Sequence, residues 1–343
     1  MAYNDIFLRA CRRERVPFTP IWLMRQAGRY MPEYRSVRSR LGFLELCHNP
    51  AAAAEVTVTA VRRLGVDAAI LFADILLILE PLGLGLEFSQ GDGPAITRPL
   101  RTPEDVARLP QVEAAAALDF VYEAVRLARR ELEVPLIGFA GAPFTLASYA
   151  IEGGGSRTYV HTKNLMYRHG PSWHALMERL TTAVTDYLCR QIAAGVQAVQ
   201  VFDSWVGCLT PRDYRQFVQP HMQRLFASLP AGVPAIHFGT GTSGLLELMR
   251  AAGGTVIGAD WRIDLEAAWQ RIGEDRAIQG NLDPVVLLAD RDTIRAHTAE
   301  ILRQAGGRPG HIFNLGHGIL PSTPVDHVRF LVDLVHDLSA ART

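Results

Sequence analysis

Lysine is almost missing from this chain. Lys163 is the only one among 343 residues, in the polar stretch His161-Thr162-Lys163-Asn164. Schiff-base chemistry needs a desolvated lysine, so an imine-forming aldolase or a pyridoxal-phosphate enzyme is not expected. Cysteine is sparse too: Cys11, Cys47, Cys189 and Cys208 are scattered, with no CxxC and no metal-like spacing. That pattern reads as structural thiols in a reducing compartment. Cys208, just beyond a strand-like run, is the one placed for reactivity. Charge of one sign is absent as well, because the formal net charge is zero. Bulk electrostatics then gives no reason to expect nucleic acid or a membrane surface as partner. Long apolar runs are lacking. The longest, Ala68 to Leu79, contains Asp74 and is too short to span a bilayer. The opening Met-Ala-Tyr-Asn-Asp lacks the basic-then-apolar pattern of a secretory signal. A cytoplasmic protein is expected.

Apolar residues are plentiful, at 48%, enough for a large core. They come in short runs: Ile21–Met24, Ala68–Ala73, Leu136–Ala140, Ala198–Phe202, Ala235–Phe238, Val256–Ala259, Ala277–Gln279 and His311–Leu315. Amphipathic stretches such as 115–132, 173–194 and 245–252 lie between them. Continuous rather than alternating apolar runs suit strands buried on both faces. Strand–helix alternation points to a parallel sheet with crossover helices. Eight such units predict an α/β fold, a (β/α)8 TIM barrel, as a single domain over 1–343. A doubly wound sheet is the competing architecture.

A barrel gathers chemistry just past the C-terminal ends of its strands. Arg25 and Arg29 follow the first run, and Asp74 follows the second. Beyond the third, Gly141-Ala142-Pro143 re-aims the chain, and a helix from Pro143 would place Thr145 and Tyr149 one turn apart. The fourth run ends in Asp203-Ser204, the fifth carries His237, and the sixth and seventh end in Asp260 and Asn281. The eighth ends in Gly316-His317-Gly318.

Each candidate also has a bland reading. Two guanidiniums at a strand end call for an anion, and arginine forks match carboxylates. Arg9, Arg12, Arg13, Arg15, Arg35, Arg38 and Arg40, by contrast, read as solvated charges. Asp74 amid apolar residues pairs with an interior arginine, caps the next helix, or is held to accept N–H hydrogen bonds or face a developing cation. Tyr149 can be plain packing, His317 a tight-turn residue able to titrate near neutrality, and Ser204 a hydrogen-bonding group, since no GxSxG elbow surrounds it. Glu152-Gly153-Gly154-Gly155-Ser156 is a loop or a lid, without the Gly-Lys-Ser/Thr of a P-loop. Gly239-Thr240-Gly241-Thr242-Ser243-Gly244 satisfies GxGxxG after a strand-like run, with Asp260 where a ribose-binding acid would lie. Taken alone, that motif supports an NAD(P)-dependent oxidoreductase.

Nearly end to end, the chain resembles the uroporphyrinogen decarboxylase family of haem biosynthesis. The resemblance rests on Met24-Arg25-Gln26-Ala27-Gly28-Arg29-Tyr30 with Pro32-Glu33-Tyr34-Arg35, and on Gly138 to Tyr149. Asp67–Phe72 leading to Asp74-Ile75-Leu76, His237–Thr242 and Gly316–Ile319 support it. Ala73 stands where many relatives have serine, and 164–173 fits loosely. The resemblance implies a barrel homodimer that acts as a cofactor-independent carboxy-lyase. It would convert the four acetates of uroporphyrinogen III to methyl groups, giving coproporphyrinogen III. It further implies Arg25, Asp74, Tyr149 and His317 as catalytic residues, and Arg25, Gln26, Ala27, Gly28, Arg29, Asp74, Tyr149, Ser204 and His317 around the substrate, with no metal. A rival in the same superfamily, cobamide-linked methyl transfer, uses zinc bound by His-x-Cys. Here the segment reads His237-Phe238-Gly239, so the thiolate is missing.

Overall fold

The computed structural model describes residues 3–89 and 93–340. Seven parallel strands form its main sheet, in the order β1 (Ala69–Ile70), β4 (Leu136–Gly141), β5 (Ala198–Asp203), β6 (Ala235–Gly239), β7 (Val256–Gly258), β8 (Ala277–Leu282) and β9 (His311–Leu315). Between β1 and β4 lies an antiparallel hairpin of β2 (Leu86–Ser89) and β3 (Gly93–Ile96), which the apolar pattern does not announce. Spatial order follows chain order throughout the main sheet, so no strand reverses the winding as in a doubly wound sheet. The architecture is barrel-like. Strands such as β4 and β9 are buried along their whole length, as continuous apolar runs require. Among the described residues no helix is long and apolar enough to cross a membrane.

The first apolar run departs from expectation. Ile21–Met24 is not a strand, and Ile21 makes only an isolated parallel bridge to Phe313. The cause is local. Pro20 has no N–H to donate, and side chains take over where a ladder would continue. Gln26 Oε1 accepts from the Leu23 N–H at 3.0 Å, and Asn314 Oδ1 accepts from the Met24 N–H at 3.1 Å. The segment nevertheless bonds on both sides. Phe313 N–H donates to Pro20 O and Asp67 N–H to Ile21 O, at 2.9 and 2.8 Å.

One buried carboxylate clasps this seam. Asp67 accepts from the Ile21 N–H at 2.9 Å and from Asn4 Nδ2 at 3.1 Å, and meets His336 Nε2 at 2.8 Å. Further along, side chains fill the interior. Trp22 Nε1 donates to Gln279 Oε1, and Gln279 Nε2 to Gln200 Oε1, each at 3.0 Å, with all three residues buried. Satisfied amides of this kind rigidify a core, whereas unpaired ones would destabilise it. The interior is therefore packed below the strand ends, and the loops above them hold the candidate site.

Candidate active site

Arg25 sits at φ 63, in the left-handed region that non-glycine residues seldom adopt. Its neighbours hold it there. Met24 O accepts from the Ile319 N–H at 2.9 Å, tying this loop to the one carrying His317. A side chain on Gly318 would lie 2.5 Å from Arg25 Cδ, so the arginine stem crosses the glycine directly. Gly28 is needed for a similar reason, since a Cβ there would come within 2.9 Å of Arg25 O. Arg25 and Arg29 are both exposed. Among the described residues the Arg29 guanidinium forms no ion pair within 4.0 Å, and its carbonyl receives Arg35 Nη1. Gln26 differs. Its side chain is fully buried and its Nε2 donates to Ala68 O at 3.0 Å, so it braces the loop from below. Ala27 and Gly28 are half-buried between the two arginines.

Asp74 follows β1 and is half-buried. Its Oδ1 accepts from the Leu76 N–H at 2.8 Å, and among the described residues it has no ion pair. Burial lifts its carboxyl to about 6, against the Leu76 hydrogen bond and the nearby Arg25 charge, which pull it down. Thr145 and Tyr149 do lie one turn apart, on the helix Pro143–Glu152. Tyr149 stacks on Trp205 with ring centres 3.7 Å apart. Burial pushes its phenol up to about 12, Asp74 adding and Arg25 opposing. His317 is lowered, first by burial and then by the Arg25 charge. Arg25, Asp74, Tyr149 and His317 thus lie within Coulombic reach of one another through the arginine. Ser204, half-buried beside Trp205, accepts from Thr240 Oγ1 at its carbonyl, at 2.5 Å.

Other residues at strand ends serve the walls. Asp260 is buried and receives the Gly241 N–H and Arg262 Nη1, both at 2.5 Å. Asn281 Nδ2 donates to Asp260 O and Ile263 O at 2.9 and 2.7 Å. His237 points away from the four clustered groups. Its ring is buried 5.0 Å from that of Phe226, with Nε2 4.0 Å from Asp203 Oδ2. Among the described residues no group of three or more His, Cys, Asp and Glu could hold a metal. Cys208 is corrected as a reactive candidate, because burial pushes its thiol up to about 11, away from the thiolate that reacts. Lys163 Nζ donates to Cys208 O at 2.7 Å.

The glycine-rich loop is no phosphate cradle. The Gly241 N–H, which a nucleotide phosphate would need, is committed to Asp260. A Cβ on Gly239 would lie 2.9 Å from Asp203 O, and one on Gly207 would lie 2.2 Å from Thr240 O. These glycines allow two loops to pack backbone to backbone. Gly207→Ala is therefore expected to overpack a rigid contact, at about 1–3 kcal/mol. A fall in Tm of roughly 1–4 °C should appear in a thermal melt, and an unchanged Tm would show that the loops are loose. Sequence reasoning missed Trp205 and Trp261. The signal was there: Trp205 comes two residues after Asp203, which ends β5, and Trp261 directly follows Asp260, two residues past β7. Trp261 lies edge-on to His317, with ring centres 6.3 Å apart.

The uroporphyrinogen decarboxylase (URO-D) family profile matches residues 2–338. A uroporphyrinogen decarboxylase of Carboxydothermus hydrogenoformans is 55% identical, covering 98% of this chain and 97% of its own. One from Thermus thermophilus is 53% identical, covering 98% and 99%. Among solved structures, a methyltransferase from Methanosarcina mazei superposes with a TM-score of 0.82 at 19% identity, covering 98% of this chain and 99% of its own. At that identity the likeness speaks for the fold alone. Profile and relatives agree over the same length, and the chain belongs to the uroporphyrinogen decarboxylase family.

Proposed function

We propose that this chain decarboxylates the four acetate side chains of uroporphyrinogen III, giving coproporphyrinogen III without a cofactor. The observation that carries this reading is Asp74. It is a half-buried carboxylate with no ion partner among the described residues, beside Arg25 and Tyr149, in a chain of this family. Loss of CO2 from an acetate needs an electron sink, and a pyrrole can serve as its own. Protonation of a ring carbon makes the ring cationic. The C–CO2 bond then breaks, and its electrons form an exocyclic double bond that neutralises the ring. A second proton at the exocyclic carbon yields the methyl group, and loss of the ring proton restores the pyrrole. Asp74 facing the pyrrole N–H groups is worth more against the cationic ring than against the neutral one, which is what lowers a barrier.

Arg25 and Arg29 would grip the carboxylates. A guanidinium is a poor acid, so the proton would come from a water held by the ionised Asp74, whose carboxylate is the form that also faces the cationic ring. Tyr149, pushed up to about 12, stays a phenol and offers a hydrogen bond. Ser204 and His317 would line the remaining wall. We take the fold as a single domain whose Pro20–Met24 segment acts as the eighth stave of a closed barrel. We also take the assembly as a cytoplasmic homodimer. The Gly241 and Asp260 geometry disfavours the nicotinamide reading. The outward His237 and the missing thiolate disfavour zinc-dependent methyl transfer.

Anaerobic incubation with enzymatically made uroporphyrinogen III, followed by chromatography, should show hepta-, hexa- and pentacarboxylate species giving way to the tetracarboxylate. Unchanged substrate would reject the reading. Arg29→Ala should remove one charged hydrogen bond, worth ~1.5–3 kcal/mol. KM is then expected to rise about 10–100-fold with kcat close to wild type. An unchanged KM would take Arg29 out of the grip.

A further inference from the structure

Asp203 ends β5 fully buried, beside Ser204 in the chain, and the reaction outlined above gives it no task. Its Oδ1 accepts from the hydroxyl of Thr145 at 3.1 Å. The same hydroxyl oxygen accepts from the Trp205 N–H at 3.2 Å. Thr145 is fully buried as well. A carboxylate can only accept, so Asp203 dictates where the Thr145 proton points and leaves an oxygen lone pair for Trp205. Trp205 in turn stacks on Tyr149 at 3.7 Å, and Tyr159 meets it edge-on with centres 5.4 Å apart.

We propose that Asp203 and Thr145 form a buried clamp that positions Trp205, and through it Tyr149 and Ser204, for the decarboxylation. They are positioning residues, for among the described residues no side-chain hydrogen bond joins either of them to the four clustered groups. The clamp joins two elements that each carry part of the site. Thr145 and Tyr149 share one face of the helix Pro143–Glu152, one turn apart, while Trp205 and Ser204 follow β5. With the hydroxyl bond in place, the Tyr149 ring rests on an indole whose backbone is pinned. Without it, the loop after β5 loses its only side-chain tie to this helix among the described hydrogen bonds. The second Asp203 oxygen makes no hydrogen bond among the described residues and faces His237 Nε2 at 4.0 Å. That gives the outward-pointing His237 a place behind the clamp.

The inference rests on the proposed decarboxylase activity, so wild-type turnover is the control that separates the two. If wild type releases no CO2 from uroporphyrinogen, the functional reading falls first. With active wild type, Thr145→Val keeps the shape and deletes the hydroxyl. It should lower kcat about 30-fold, as a misplacement near 1 Å can cost ~100-fold, with KM almost unchanged. Thr145→Ser keeps the hydroxyl and should stay close to wild type. A valine variant with wild-type kcat overturns the clamp, and so does a serine variant that loses as much as valine. A second measurement stands even if the valine variant does not fold. In the wild-type protein the Trp205 amide should exchange slowly with solvent, and rapid exchange there would overturn the clamp.

Discussion

Asp74→Asn should lower kcat about 1,000-fold while leaving KM and folding almost untouched. The size follows from the charge alone. A carboxylate ~4 Å from a cation at an effective dielectric of ~20 contributes ~4 kcal/mol, and each ~1.4 kcal/mol is tenfold in rate. Asparagine keeps an oxygen for the Leu76 N–H and so preserves the local turn. Stability moves the other way. The folded carboxyl lies at about 6, above its ordinary value of 3.8, so ionising Asp74 opposes folding. That penalty grows as pH rises between these values and is complete above about 6. The variant is expected to melt no lower than wild type at pH 7.5, and the two should converge near pH 4. Wild-type kcat/KM should lose activity on the acid side with a midpoint near 6, a limb that the asparagine variant lacks. A variant turning over within tenfold of wild type would remove the carboxylate from the mechanism.

Arg25→Ala should be nearly as damaging, about 100–1,000-fold in kcat/KM. With substrate seated, Arg25 would pair with a carboxylate away from water, and truncating one partner of such a pair costs ~2–5 kcal/mol. The pH profile separates this loss from a simple weakening of binding. Arg25 holds the Asp74 carboxyl down, and its removal lets that value rise above about 6. The acid limb of kcat/KM should therefore move toward neutrality. His317, depressed by burial and by the same guanidinium, should titrate closer to its ordinary 6.5. Lysine at this position would keep the charge but lose the planar fork, so Arg25→Lys should restore the acid limb without restoring full affinity. An acid limb that stays put in Arg25→Ala would mean that Arg25 and Asp74 do not sense each other.

How much of this could be read beforehand differs by element. The β4 and β9 runs were legible because strands buried on both faces must be apolar throughout. The first run carried the same signal and yet forms no strand, because Pro20, Gln26 and Asn314 replace ladder bonds with side-chain ones. Periodicity cannot see Asn314, which accepts from the Met24 N–H 290 positions away. The hairpin β2–β3 was missed because Leu86–Ser89 and Gly93–Ile96 are short and the second opens on Gly93-Pro94. Arg25, Asp74, Tyr149 and His317 were found by their position after apolar runs, and the structure brings them together. Their pinning was not legible. The left-handed backbone at Arg25, the stem crossing Gly318 and the Thr145 hydroxyl bridging to Trp205 all depend on contacts between distant segments. GxGxxG, taken alone, resembled a dinucleotide motif for the converse reason. Gly239 and Gly241 answer to Asp203 O and Gly207 on the neighbouring segment, which a local motif does not contain.

The Asp67 clasp has a consequence for synthesis of the protein. It gathers Asn4, Ile21 and His336, and the last of these bonds spans 269 positions. A nascent chain that has already emerged through β9 still lacks the imidazole that completes the knot. At ~5–20 residues per second, residue 336 takes roughly 15–70 s to be made. Throughout that interval the seam beside Ile21 lies unlatched on the ribosome, and the growing polypeptide is one that a chaperone would be called on to shelter.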